Sequence, residues 1–177
     1  MRNVYEVQGR TTTLFLPRKN GLVLKAFINT EDLPKVQMIP NTWFACWDPG
    51  TSSYRVCGMV YENDKRKSVW LHRYLTDAPT GTDVDHIDHD QLNNRRSNLR
   101  ILTHSENHQN RNRPNKNNTS GYLGVTWSKY NYCWVAKLRV SGRYVYVGSF
   151  KDKELAAKAI TQARARLMPY SQEAMAQ

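Results

Sequence analysis

Apolar and polar positions alternate through the first part of the chain, as in Leu14-Phe15-Leu16-Pro17 and Leu22-Val23-Leu24-Lys25-Ala26-Phe27 on either side of Lys19-Asn20-Gly21. A period of two around a glycine-bearing turn predicts a β-hairpin. Residues 54–61 and 68–75, flanking Asn63-Asp64-Lys65, predict a second hairpin, and residues 31–37 a short helix between them. Phe15, Phe27, Trp43, Phe44, Trp47 and Trp70 read most simply as core. Residues 82–87 and 99–102 form two further short strands. Thr103-His104-Ser105-Glu106 then has the Ser/Thr-x-x-Glu form that opens a helix, with Asn107 in its first turn. Residues 108–119 contain no apolar residue except Pro114 and read as a linker. Beyond them, residues 122–127, 132–140 and 143–150 alternate again, and Asp152 caps an amphipathic helix that stops at Pro169. Leu155, Ala156, Ala159, Ile160, Ala163 and Leu167 share one face of that helix.

Charge sharpens this picture. The 177 residues carry 26 Lys and Arg against 15 Asp and Glu, a net +11, which suits a polyanionic partner. From Gln91 to Arg143 the bases are Arg95, Arg96, Arg100, Arg111, Arg113, Lys116, Lys129, Lys137, Arg139 and Arg143, against Glu106 alone, so 10 − 1 = +9 of that total falls there. Three cysteines without a Cys-x-x-Cys pair argue against a disulfide framework and for a reducing cytoplasm. No apolar run suggests a signal peptide or a membrane span.

The candidate chemistry lies at residues 85–107. Asp85 and His86 are neighbours on a strand, so their side chains leave opposite faces, one able to bind a metal while the other reaches a water. The first turn of the helix at Asn107 offers unpaired N–H groups, a favourable place for phosphate. Asp85-His86-x-Asp88, Asn98-Leu99-Arg100 and Asn107 together resemble the HNH (ββα-metal) endonucleases, in the branch of phage homing enzymes. The resemblance implies that Asp85 and Asn107 hold one divalent cation, Mg2+ or Mn2+. It makes His86 the general base and Asn98 the residue that ties the loop back. The third motif letter is Asn rather than His, and His104 and His108 flank it as possible substitutes. Leu71-His72-Arg73 resembles the segment that leads into the motif, with a packing role expected for His72. A rival is a zinc site, since His86-x2-His89 and His104-x3-His108 have ligand-like spacing; structural zinc sites normally include Cys, and none lies between Cys57 and Cys133.

The C-terminal segment, through Ser120-Gly121-Tyr122-Leu123-Gly124-Val125, Trp134-Val135-Ala136, Val147-Gly148-Ser149-Phe150 and its Ala-rich helix, resembles the plant ethylene-response-factor (Apetala-two) DNA-binding domain. In that family the sheet face away from the helix enters the major groove. Period-two register puts Lys137, Arg139, Tyr144 and Tyr146 on that face, opposite Ala136, Leu138, Val145 and Val147, with Thr126, Ser128 and Tyr130 outward near the first strand. The plant family has several Arg and a Trp where Leu123, Thr126, Ser128 and Tyr130 stand here, so its base preference does not transfer. Arg95, Arg96, Arg111, Arg113, Lys116 and Arg143 complete the candidate DNA contacts, the linker bases as an extended arm along a backbone or minor groove.

The sequence thus predicts an α+β chain: a β-rich module at 1–80, a ββα-metal nuclease core at 81–112, a basic linker at 113–120 and a DNA-reading sheet with one helix at 121–170. The expected function is metal-dependent hydrolysis of double-stranded DNA to 3′-OH and 5′-phosphate ends, by a monomer or dimer in the cytoplasm of a phage-infected bacterium. The alternative is a non-cutting DNA-binding regulator with a vestigial motif.

Overall fold

The computed structural model describes residues 1–62, 65–111 and 113–176. The turn expected at Asn63 and Asp64, and Asn112 of the polar segment, lie outside them. The chain is mixed α+β, as its patterning predicts, and its contacts divide it into two compact units, Met1–Thr103 and His104–Gln177.

In the first unit, strands β1 (Tyr5–Gln8), β2 (Thr11–Pro17) and β3 (Val23–Asn29) form an antiparallel sheet in that order. The expected hairpin is β2–β3, and Tyr5 to Gln8 add an edge strand to it. Alternation along β2 buries Thr12, Leu14 and Leu16. A 3-10 turn, Thr30–Asp32, leads into helix α1 (Leu33–Gln37), close to where a helix was predicted. Strands β4 (Phe44–Asp48), β5 (Ser53–Glu62) and β6 (Lys65–Trp70) form the second sheet, and helix α2 (Leu71–Thr76) follows. Leu14, Leu16, Ala26, Ile28, Val36, Trp43, Val56, Leu71 and Leu75 form the core. Gly58 is required on β5, since a Cβ there would stand 2.9 Å from the Trp43 ring.

Three expectations are corrected in this unit. Residues 71–75 are helical rather than extended, because Leu71 and Leu75 both face the core and one helical turn aligns positions four apart. Trp47 is 53% exposed rather than core, its ring set edge-on to its cross-strand partner Tyr54 at 4.9 Å. Cys46 and Cys57 are paired as a disulfide, with Cα atoms 6.5 Å apart: in the β4–β5 ladder Cys46 lies opposite Arg55 and Cys57 opposite Phe44, which makes the two cysteines diagonal neighbours. Cys133 is free and buried.

In the second unit, α3 (His104–Asn107) starts just after Thr103 and continues as a 3-10 turn, His108–Asn110. Strands β9 (Val125–Ser128), β10 (Cys133–Val140) and β11 (Arg143–Phe150) form an antiparallel sheet with β10 central, and α4 (Lys153–Leu167) covers one face. Asp152 caps α4, its Oδ1 accepting from the Glu154 and Leu155 amides at 2.6 and 3.0 Å. Val125, Ala136, Leu138, Ala156, Ile160 and Met168 close the core. Gly124 adopts φ +73°, and a Cβ there would meet the Lys137 carbonyl oxygen at 2.6 Å, so only glycine fits. The apolar stripe expected on α4 is revised at both ends: Leu155 and Leu167 are exposed, while Arg164 is buried. Its guanidinium donates to Glu173 at 2.7 Å and to the carbonyls of Gln109 and Arg111 at 2.9 and 3.0 Å. The segment read as a free linker is therefore fastened to α4 at its start. A short helix not foreseen, α5 (Gln172–Met175), follows the Ser171 cap. Among the described residues, no helix is long and apolar enough to cross a membrane.

Candidate active site

Strands β7 (Asp83–His86) and β8 (Leu99–Leu102) pair antiparallel, with Asp85 opposite Arg100 and His86 opposite Leu99. The short-range register fixes two different environments for adjacent residues. Asp85 turns toward Arg100, whose Nε and Nη2 donate to its Oδ2 at 2.9 and 2.7 Å. His86 is buried, with Nε2 3.3 Å from Asn94 Oδ1.

The loop joining these strands is a knot of short polar side chains. Asn98 Nδ2 donates to Asp88 Oδ1 and to the Asn93 carbonyl, both at 2.8 Å, while its Oδ1 accepts from the Asp88 amide at 3.0 Å. Asp88 Oδ2 accepts from Asn93 Nδ2 at 2.7 Å. Asp88 and Asp90 each accept from the amide two residues on, the local bond that favours Asp in turns. The loop is anchored to β3 from outside, through Phe27 N to Leu92 O and Asn94 N to Phe27 O at 2.9 and 2.7 Å. Burial opposes the charge on Asp88, but donors from Asn93, the Asp90 amide and Asn98 outweigh it and hold the carboxyl below its ordinary range.

Burial also decides the state of the imidazoles. It lowers the His86 pKa below the usual 6.5, against the opposing pull of Asn94, Asp85 and Asp88, so the ring is neutral at pH 7 and able to accept a proton. His72, on α2, sets its ring edge-to-face on His86 at 5.1 Å and stacks on Trp70 at 6.5 Å. Burial first, then His86, Arg55 and Arg73, push His72 down to about 3. Sequence reasoning missed Asn93 and Asn94 as members of the site and weighed His72 as near the site but favoured packing for it; the dense run of Asp and Asn between residues 88 and 98 was the available signal.

Asp85 offers a hard carboxylate oxygen on an ordered strand, so the donor chemistry fits a hard divalent cation in kind. Asn107, the other expected ligand, ends α3 in the second unit. In that unit His104 and His108 approach with Nε2 atoms 3.0 Å apart. Among the described residues no three His, Cys, Asp or Glu side chains converge as a metal cluster.

The candidate DNA contacts fall into two groups. Arg96 is committed internally: its Nε and Nη2 reach the buried Asp32 at 3.0 and 2.5 Å, and its amide donates to Asn29. Arg95 is exposed and donates to Asn93 Oδ1 at 2.9 Å. In the second unit Lys137, Arg139, Tyr144 and Tyr146 stand on the exposed face of the sheet, with Thr126 and Tyr130 exposed and Ser128 half-buried near β9. Lys137 and Arg139 lie 5.4 and 5.9 Å from the centre of the Tyr144 ring. Arg143, Arg113 and Lys116 are exposed, and Arg111 bonds locally to the Arg113 carbonyl and Asn115.

Comparison with known proteins places these residues. Residues 70–109 match the model of a family described as HNH endonuclease. Protein 3.8 of Escherichia phage T7 is 40% identical over 77 residues, which is 44% of this chain and 60% of that protein, so the match spans less than two thirds of the relative's length. No solved structure matches the chain. The matched interval supports an HNH nuclease, and it contains Asp85, His86, the whole asparagine-rich loop and Asn107.

Proposed function

We propose that this protein is a divalent-metal-dependent DNA endonuclease of the homing type, nicking or cleaving double-stranded DNA by hydrolysis, and acting in the cytoplasm of a phage-infected host. The observation that carries the reading is His86: a buried imidazole held neutral, next to a carboxylate, inside the interval that matches the nuclease family. His86 accepts a proton from a water as its oxygen attacks phosphorus, the bond to the 3′ oxygen breaks, and that oxygen takes a proton from solvent. The ends are 3′-OH and 5′-phosphate. Asp85 and Asn107 are the proposed ligands: they would hold a divalent cation, which would supply charge neutralisation at the scissile phosphate. Asn98 holds the loop that sets the spacing between the strands.

The second unit, in this reading, binds the DNA through the outer face of β9–β11, with Lys137, Arg139, Arg143, Tyr144 and Tyr146 central, Thr126, Ser128 and Tyr130 at one side, and Arg111, Arg113 and Lys116 as a preceding arm. A three-stranded antiparallel sheet with one helix behind it supports this, as does the exposure of its bases and tyrosines. Arg95 faces solvent and can join the contact. Arg96 contributes less, because Asp32 already neutralises it.

Supercoiled plasmid incubated with the protein and Mg2+ or Mn2+ tests the reading. Open circles or linear DNA are expected, and both EDTA and His86→Ala should end their formation. Binding without strand scission in either metal would instead favour the non-cutting regulator.

A further inference from the structure

We infer that Asn94 is a positioning residue that fixes His86 as its Nε2–H tautomer, leaving Nδ1 as the nitrogen that accepts a proton. The inference deepens the nuclease reading and rests on His86 being its base. The argument begins with the orientation of the Asn94 amide. Its Nδ2 lies 3.3 and 3.1 Å from the carbonyl oxygens of Gln91 and Leu92. Two carbonyls cannot accept from a third, so the nitrogen of the side chain must be the end that faces them, and the oxygen must be the end that faces His86. Asn94 is fully buried, so water does not substitute for either contact.

The backbone removes the remaining freedom. The Asn94 amide donates to the Phe27 carbonyl at 2.7 Å, and Phe27 N to Leu92 O at 2.9 Å, so one of the two carbonyls that orient the side chain is itself held by β3. An amide oxygen has no proton to give. The 3.3 Å contact with His86 is therefore a hydrogen bond only when Nε2 carries the proton, and in a neutral ring that leaves the lone pair on Nδ1. A buried acceptor left without its donor is costly, which biases the tautomer equilibrium in one direction. The same bond sets the plane of the ring, with His72 holding its other side.

The test is made on the full chain. Nitrogen-15 NMR of the His86 ring above pH 7 should show the protonated, pyrrole-type resonance at Nε2 and the unprotonated one at Nδ1. Asn94→Leu, of similar size but without an acceptor, should mix the two tautomers and lower kcat on plasmid ~10- to 100-fold, the usual scale for losing a partner that orients a reacting imidazole, with KM for DNA unchanged. A wild-type protein with the proton on Nδ1 overturns the inference even if every Asn94 variant fails to fold, and so does a folded Asn94→Leu protein with full kcat. A protein that cuts no plasmid in any metal refutes the nuclease reading, while the resonances still decide the tautomer.

Discussion

The loop between β7 and β8 and the outer face of the β9–β11 sheet are both polar, yet they are built in opposite ways. In the loop, Asn93, Asn94 and Asn98 are buried and their amides are tied to Asp88, to His86 or to main-chain carbonyls at 2.7 to 3.3 Å. On the sheet, Tyr144 is 72% exposed and its two cationic neighbours stand more than 5 Å from the ring centre. Desolvation makes a buried polar group costly unless it is bonded, and once bonded it is held in one geometry. A site that moves a proton needs that fixity. A surface that meets phosphates and bases works better with its cations hydrated and adjustable until the partner displaces the ions around it.

The contrast can be broken or sharpened by substitution. The largest effect is expected from His86→Ala, which should cut the rate of scission by about 10²- to 10⁴-fold and leave DNA affinity nearly unchanged, read by single-turnover cleavage and by filter binding. A comparable loss of affinity would mean the ring acts in binding. Acid should act next. His72 is held at about 3 in the folded chain against 6.5 in the unfolded one, so folding binds fewer protons in that interval. Its stabilisation is complete above about pH 6.5 and is lost as pH falls toward 3, by up to about 1.4 kcal/mol per pH unit. Urea unfolding from about pH 7 to about pH 4 should show this slope added to that of the buried His86, and His72→Phe, which keeps a ring against Trp70, should reduce it by up to one proton's share; an unchanged slope would assign the acid sensitivity elsewhere.

A smaller change is expected on the sheet. Lys137→Ala with Arg139→Ala should reduce the slope of log K against log salt by roughly 2, at about 0.9 per phosphate contact, with scission of already bound DNA unaffected. No change in slope would remove this face from the interface. The least effect on DNA should come from Arg96→Ala, because the guanidinium pairs with Asp32; the loss should appear in stability instead, since the buried carboxylate is left alone. A drop in affinity as large as that of the sheet variant would show that Arg96 reaches DNA despite its partner.

Much of this was legible in the residues. Alternation located β2, β3, β10 and β11 and sorted Lys137 and Arg139 from Ala136 and Leu138 correctly, because a strand's side-chain period is fixed by its backbone. The helix of residues 71–76 was hidden because Leu71 and Leu75 fit either period over so short a run. Nothing in the pattern marked Arg164, whose burial depends on Glu173 and on carbonyls more than fifty residues away in sequence. The charge count had a similar blind spot. It drew its boundary at Gln91, yet Arg96 and Arg100 pair with Asp32 and Asp85 on the far side of that line. At the site, the strand positions of Asp85 and His86 followed from pattern, whereas Asn94 and His72 required knowing which way side chains point across a loop.

Loops are ordinarily where a chain gains or loses residues without harm. The loop of residues 87–98 is an exception by construction. Its bonds link fixed offsets, 88 to 90, 88 to 93, 88 to 98, 90 to 92, 91 to 94 and 93 to 98, so each residue's place is counted from several others at once. One residue more or fewer between Asp88 and Asn94 would displace every later partner, much as a slip of register does between paired strands. Its length is as much a part of the site as any side chain in it: of the irregular segments described, this is where insertions and deletions should be least tolerated.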